Sequence, residues 1–191
     1  KSLVWNTSLT GTYLKNVVTS LDNIPFVPGY SPANGLVDDV TRIVVGQPIG
    51  AFYLYKWTGL DATGHDTYAD LDQSGTLSEG DKSFCGKANP TLTFGLNNQI
   101  TWRNGDINMF FTAAFGAKRL NLMRYFIASM NGASKFITLK EAYYQSYGKV
   151  DNPLFPAVDV TNNYYQGAST KWLEKADYIR FDNITLSYNL S

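Results

Sequence analysis

The chain of 191 residues has little of what most catalytic sites are built from. It contains one cysteine, Cys85, and one histidine, His65, so neither an internal disulfide nor a Cys/His zinc site is expected. A serine or cysteine nucleophile would need His65 as its base, and nothing around His65 suggests one. Phosphate-binding, dinucleotide-binding and HExxH motifs are absent from the sequence. We therefore expect that the protein is not an enzyme.

Charge is also scarce. Lys plus Arg and Asp plus Glu number 16 each, so the formal net charge is zero, and charged residues make up 17% of the chain. Without a net positive field, no binding to nucleic acid or to an anionic membrane surface is expected. The sequence has no run of about 18 apolar residues, so it predicts no transmembrane helix, and no signal peptide is visible.

What the chain does have is aromatic residues and a period-two pattern. Aromatic residues make up 15% of it, with 13 Tyr and 11 Phe. Near the start, Leu3, Trp5, Leu9 and Tyr13 share one face of an extended segment. Such alternation predicts β-strands, and its recurrence along the chain predicts an all-β fold of antiparallel strands joined by long loops.

The clearest β-hairpin is predicted over residues 91–115. Two alternating arms flank Arg103-Asn104-Gly105-Asp106, a turn centred on Asn-Gly. Each arm is about ten residues long, near the length at which a tilted strand crosses a bilayer. One face is apolar, and the other is small and polar with few charges, as in the wet lumen of an outer-membrane barrel. Trp102 lies at the turn end, where an interfacial aromatic belt would place it; the alternative is a Trp that covers the edge of a sandwich.

Two more strands and three long loops complete the predicted organisation. Residues 49–60 predict a strand, and the last strand changes its alternation phase near Asp182, which indicates a bulge or a change of environment. Long loops are predicted at about 21–36, 61–90 and 117–176, with short helices at 120–130 and 138–147. Short turns at one end and long loops at the other are typical of bacterial outer-membrane barrels.

An acidic turn begins at Asp70 and ends at Asp81. Its oxygen-bearing residues follow the spacing that wraps a hard cation such as Ca²⁺. Gly75 would allow the sharp bend. The predicted ligands are the side chains of Asp70, Asp72, Ser74 and Asp81 and the carbonyl of Thr76. The alternative is a solvated acidic turn held by Asx hydrogen bonds.

Four motifs in order resemble one family. They are residues 45–60, the acidic turn, residues 86–97 with the spacing G-x-x-x-P-x-x-x-x-G-x-N, and residues 169–190 with W-L-x-x-x-x-Y-x-R-x-x-N-I-T-L-x-Y. Together they resemble the SusC/RagA family of TonB-dependent outer-membrane receptors. The resemblance implies a transmembrane β-barrel in the outer membrane of a Gram-negative bacterium. It also implies a SusD-like lipoprotein partner, energy from TonB, and import of glycans or peptides.

The resemblance further implies that residues 1–191 are an internal fragment from the C-terminal part of the barrel. The family's plug domain and most of its strands have no counterpart in the sequence, so other segments or chains would be needed to complete the barrel. The alternative is a soluble Ca²⁺-binding β-sandwich that binds carbohydrate. A set of six residues separates the two hypotheses, since a barrel turns it toward lipid or a sheet partner and a sandwich encloses it in a core. The set is Leu92, Phe94, Leu96, Ile107, Met109 and Phe111.

Overall fold

A computed structural model describes residues 2–31, 39–127, 140–157 and 168–190. The described residues form twelve strands, and every strand pair is antiparallel, which confirms the predicted all-β class. The strands are β1 (Leu3–Tyr13), β2 (Val27–Pro28), β3 (Arg42–Ile43), β4 (Ala51–Tyr55), β5 (Trp57–Leu60), β6 (Asp66–Tyr68), β7 (Lys82–Lys87), β8 (Leu92–Trp102), β9 (Gly105–Phe115), β10 (Lys118–Leu120), β11 (Leu173–Lys175) and β12 (Tyr178–Tyr188). Helices α1 (Leu122–Ile127) and α2 (Lys140–Tyr144) are short, as are the 3₁₀ turns Glu79–Asp81 and Thr170–Trp172.

The main sheet consists of the four longest strands in the order β1-β8-β9-β12. The predicted hairpin is confirmed, with Trp102 paired to Gly105 across the turn. The turn itself differs from the prediction, because its two loop residues are Arg103 and Asn104 and Gly105 already belongs to β9. Arg103 has a φ of 54° and so supplies the left-handed position that a two-residue hairpin turn requires.

A bulge interrupts the pairing of β12 with β9 at Asp182. Phe181 pairs with Phe111 and Asn183 pairs with Phe110, so Asp182 has no partner in the ladder. The Thr112 hydroxyl donates to the Asp182 carboxylate over 2.6 Å and anchors the extra residue. The phase change near Asp182 therefore marks a bulge, one of the two predicted alternatives.

The segments predicted as long loops all join the main sheet at the end opposite the Arg103–Asn104 turn. Residues 14–91 connect β1 to β8, and residues 116–177 connect β9 to β12. Within their described parts they form four small strand pairs, β2–β3, β4–β7, β5–β6 and β10–β11. The strand predicted at 49–60 is two strands, because β4 and β5 pair with different partners. Helices α1 and α2 lie within the predicted 120–130 and 138–147 but are shorter, and residues 128–130 and 138–139 are outside the described ranges.

The hydrophobic core of the described residues lies in these connecting segments. Trp172 is 1% exposed at its centre, and its ring meets that of Tyr125 edge-on with centroids 5.6 Å apart. The other members are Val40, Phe52, Leu54, Ala142, Phe155 and Ala168. No helix among the described residues is long and apolar enough to span a membrane.

Candidate functional site

One face of the main sheet is apolar from edge to edge. The strand register places side chains from all four strands in common rows on this face, because directly paired residues point to the same side. The rows, written from β1 to β12, are Leu3–Trp102–Gly105–Tyr188, Trp5–Ile100–Ile107–Leu186, Leu9–Leu96–Phe111–Phe181 and Gly11–Phe94–Ala113–Ile179. The result is a mainly apolar surface four strands wide, with one polar pair, Thr7 and Asn98, in its middle row.

This apolar face is open. Leu9, Leu186 and Ile179 are 68%, 70% and 75% exposed. None of the six residues chosen to distinguish the barrel hypothesis from the sandwich hypothesis is buried. Two of them, Leu92 and Phe94, are exposed. The described residues therefore do not form the closed core that a soluble sandwich requires. A contiguous apolar surface of this kind marks contact with lipid or with another protein surface.

The opposite face is polar but almost free of net charge. Most of its rows carry amides and hydroxyls, and Phe110 and Tyr178 are its aromatic residues. The rows include Asn6–Gln99–Asn108–Thr185 and Ser8–Asn97–Phe110–Asn183. The charged residues of the four strands are Asp106, Arg180 and Asp182. Thr101 donates to Asp106 over 2.6 Å, and Arg180 forms an ion pair with Asp182. This face is a hydrogen-bonding wall that suits water and neutral polar groups.

Aromatic residues mark both ends of the apolar face. Trp102 and Tyr188 lie in its last row at the turn end, and Tyr13 and Phe115 lie at the end where the connecting segments begin. Trp102 therefore takes the position predicted for it. Aromatic girdles at both rims of an apolar band are a feature of transmembrane β-barrels.

A polar pair in the middle of the apolar face escaped the sequence reasoning. Thr7 of β1 lies directly opposite Asn98 of β8. The Asn98 carbonyl oxygen accepts hydrogen bonds from the Thr7 hydroxyl at 2.8 Å and the Trp5 indole at 3.2 Å, so this acceptor is satisfied within the face. Strict period-two counting from Leu96 and Ile100 would have placed Asn98 here.

The acidic turn brings together three of its five predicted ligands. Carboxylate oxygens of Asp70, Asp72 and Asp81 lie within 4.8 Å of one another. The Ser74 hydroxyl donates to the Thr76 carbonyl over 2.9 Å, so those two predicted ligand oxygens are bonded to each other. Gly75 has a φ of 74°, which confirms the bend assigned to it.

Hydrogen bonds within the turn lower the pKa of two of its carboxyl groups, Asp72 and Asp81. Backbone N–H groups of Ser78 and Leu71 donate to Asp81 at 2.7 Å each and lower the pKa of its carboxyl. The Ser78 hydroxyl, at 2.6 Å from the Asp72 carboxylate, is the main cause of the lowered pKa of Asp72. Asp81, 1% exposed, also completes a capping box with Ser78 at the start of the Glu79–Asp81 turn. Carboxylate oxygens of Asp70, Asp72 and Asp81 thus converge as a hard cation would require.

Arg42 connects the acidic turn to the rest of the connecting segments. Its guanidinium lies 4.0 Å from the ring centroid of Phe26 and 4.2 Å from that of Tyr53. The same group forms ion pairs with Asp39, at 3.2 Å, and with Glu79 in the 3₁₀ turn that closes the acidic turn. A planar guanidinium is suited to this combination of stacking and ion pairing, so Arg42 fixes the turn against β4.

A buried ion pair connects the hairpin β5–β6 to the last connecting segment. Lys171 lies 2.6 Å from Asp66 of β6, with side-chain exposures of 5% and 1%. Burial lowers the pKa of the Lys171 ammonium, and the Asp66 carboxylate opposes that shift. The Trp57 indole also donates to Asp66, over 2.8 Å. Because Lys171 precedes the core residue Trp172, its ion pair with Asp66 holds the hairpin β5–β6 to that segment.

Sequence comparison finds relatives among the TonB-dependent receptors. The chain is 26% identical over its whole length to TonB-dependent receptor P3 of Formosa agariphila, and 24% identical over 97% of its length to TonB-dependent receptor P26 of the same organism. It spans about a fifth of the length of either receptor. No family model matches the chain.

Solved structures show the same fold. The chain superposes on the RagAB peptide transporter with a TM-score of 0.76 at 20% identity, covering 98% of this chain and 21% of that one. The RagAB peptide importer in its closed-closed and open-open states gives TM-scores of 0.75 and 0.70, also at 20% identity, over 98% and 96% of this chain and 21% and 20% of those chains. The likeness extends over nearly all of this chain.

Proposed function

We propose that this chain, which is related along its whole length to the TonB-dependent receptors, forms part of the β-barrel of an outer-membrane transporter. The main support is the two-faced sheet. Its apolar face has the extent and the aromatic rims that suit lipid, and its other face has the neutral amides and hydroxyls that suit an aqueous lumen. The connecting segments extend from one end only, which corresponds to the extracellular side of such barrels.

The transported nutrient is an oligomer, a glycan or a peptide, and a SusD-like lipoprotein captures it on the extracellular side, with TonB supplying energy. The motif resemblance to the SusC/RagA family supports this part of the proposal, and the name of the RagAB peptide transporter supports a peptide. The connecting segments have a core of their own around Trp172, so they are able to present a stable surface to the partner and the nutrient.

Uptake by intact cells tests the proposal. Cells that lack the receptor are expected to lose accumulation of either a fluorescent oligosaccharide or a fluorescent peptide, and the complete receptor gene is expected to restore it. The restored cells should carry the receptor in the outer-membrane fraction together with a co-purifying lipoprotein. Unchanged uptake of both probe classes, with the receptor in the soluble fraction, would refute the transport function.

A second proposal concerns the acidic turn. We propose that Asp70, Asp72 and Asp81 hold Ca²⁺ and that the ion stiffens the segment between β6 and β7. The support is the convergence of three carboxylates whose oxygens retain lone pairs beyond those that accept backbone hydrogen bonds. Dissociation constants of roughly 10⁻⁴–10⁻³ M are common for extracellular Ca²⁺ sites.

Calcium titration of the complete receptor tests the metal site. Isothermal titration with millimolar Ca²⁺ is expected to show binding, and the turn should be stabilised by about 2.7 kcal/mol when Ca²⁺ is at 100 times its dissociation constant. Asp70→Asn removes one of the three charges and should abolish the heat of binding. Asp61→Asn is the control, because Asp61 forms an Asx turn with Thr63 outside the cluster. A wild-type receptor that gives no heat contradicts the site.

A further inference from the structure

The apolar face of the main sheet has a gap in its last row at the turn end. Gly105 occupies the position between Trp102 of β8 and Tyr188 of β12. Since Gly105 has no side chain, the two aromatic residues become the walls of a recess of about 270 Å³, which we call the turn-end recess. Its floor continues over the apolar side chains of the next row, which are Ile100, Ile107 and Leu186.

The backbone does not require a glycine at this position. Gly105 is not among the residues with positive φ, and a Cβ added to it would lie 3.6 Å or more from its nearest neighbours. These are ordinary contact distances, so a side chain would fit without displacing the strands. The effect of Gly105 on the surface is therefore to leave space between two rings. Tyr188 is held in place because Asn189, which follows it, donates its N–H to the Asn104 carbonyl over 2.8 Å.

The mouth of the recess carries a positive charge. Arg103 lines a wider space of about 500 Å³ at the turn, and its guanidinium lies 4.9 Å from the ring centroid of Trp102. Arg103 forms no ion pair with any residue that the structure describes. Asp106, the acidic residue closest in sequence, is also among the residues that line the recess, and its carboxylate accepts a hydrogen bond from the Thr101 hydroxyl. The guanidinium is thus available to an anion.

We propose that the turn-end recess binds a glycerophospholipid, with an acyl chain between Trp102 and Tyr188 and the phosphate on Arg103. This inference rests on the proposed function, which places the apolar face in lipid. Aromatic residues of a girdle lie at headgroup depth, so Arg103 lies where phosphates are. A guanidinium binds a phosphate through paired hydrogen bonds, and an apolar recess with aromatic walls accepts a hydrocarbon chain.

Native mass spectrometry of the complete receptor tests the site. Receptor purified in detergent is incubated with micelles that contain dioleoylphosphatidylglycerol or dioleoylphosphatidylethanolamine, and retained lipid is counted. Gly105→Leu fills the recess and should lower lipid occupancy for both lipids. Arg103→Asn keeps a residue that tolerates positive φ but removes the charge, and should weaken phosphatidylglycerol binding about tenfold or more. Arg119→Asn, an exposed arginine at the opposite end of the sheet, should leave lipid binding unchanged.

The outcomes separate this inference from the proposed function. Undiminished lipid retention by Gly105→Leu, in a receptor that is still folded in the outer membrane, would refute the lipid site alone. A mass increase equal to a second copy of the receptor, lost in Gly105→Leu, would assign the recess to self-association and also refute it. Recovery of the wild-type receptor from the soluble fraction would refute both the lipid site and the transport proposal.

Discussion

Leu96→Arg is expected to destabilise the complete receptor in a bilayer, lowering its free energy of unfolding by about 2–4 kcal/mol. Leu96 lies in the middle of β8, in the row that also contains Leu9, Phe111 and Phe181. If the apolar face contacts lipid, an arginine here must bring its charge close to the bilayer midplane, where it loses its hydration. Urea titration of receptor folded into defined vesicles measures the difference.

Asn97→Arg is the matched control for this substitution. It places the same side chain one residue further along the same strand, where it points to the polar face beside Ser8 and Phe110. We expect this variant to lose much less free energy of unfolding, because its charge remains in water. Equal losses for the two variants would contradict the assignment of the two faces, and so would a larger loss for Asn97→Arg.

Trp172→Ala is expected to cost about 3–5 kcal/mol in the stability of the connecting segments. Trp172 is the largest of the fully buried side chains, and its removal leaves a cavity against Tyr125 and the neighbouring core residues. The main sheet has no share in this core, so its strands should keep their protection. Hydrogen exchange resolved by peptide is the appropriate measurement, with faster exchange expected in residues 39–91, 116–127, 140–157 and 168–177.

Tyr144→Ala provides the comparison for this cavity. Tyr144 is a large aromatic residue of the same region, but it is exposed on α2, so its loss should change exchange little. If the connecting segments form the surface that a lipoprotein contacts, Trp172→Ala should also weaken co-purification of that partner. Exchange in Trp172→Ala that rises uniformly through β8, β9 and the connecting segments would show that they unfold as one unit with the sheet.

Much of the main sheet could be predicted from the sequence because alternation is a local signal. The run from Leu92 to Trp102 and the phase change near Asp182 are visible without any knowledge of partners. The turn residues were misplaced by one position, since Asn104-Gly105 has the composition of a hairpin turn while Arg103 supplies the left-handed φ. Residue preferences at turns are weaker than the register that eleven paired residues impose.

The connecting segments were harder to predict for a physical reason. Their strands are two to six residues long, too short to show a period, and β4 and β10 pair with strands that are remote in sequence. The core around Trp172 collects single residues from distant segments, Val40 and Phe155 among them, so no window of sequence contains it. The ion pair between Lys171 and Asp66 likewise joins two residues from distant segments, so no local pattern predicts it. In the acidic turn, by contrast, the ligand spacing is local, and the convergence of Asp70, Asp72 and Asp81 followed from it.

The core of the connecting segments has a consequence for how the sheet assembles. Strand β1 pairs with β8 across a large sequence separation, since Trp5 and Asn98 lie 93 positions apart. Strands β8 and β9, by contrast, are joined by a two-residue turn. Closing a long unstructured loop costs entropy and slows folding, so β8–β9 is the expected nucleus. A folded core built from both connecting segments would shorten the effective distance that β1 and β12 must search. The connecting segments would then serve as a scaffold that brings the outer strands to a hairpin already formed.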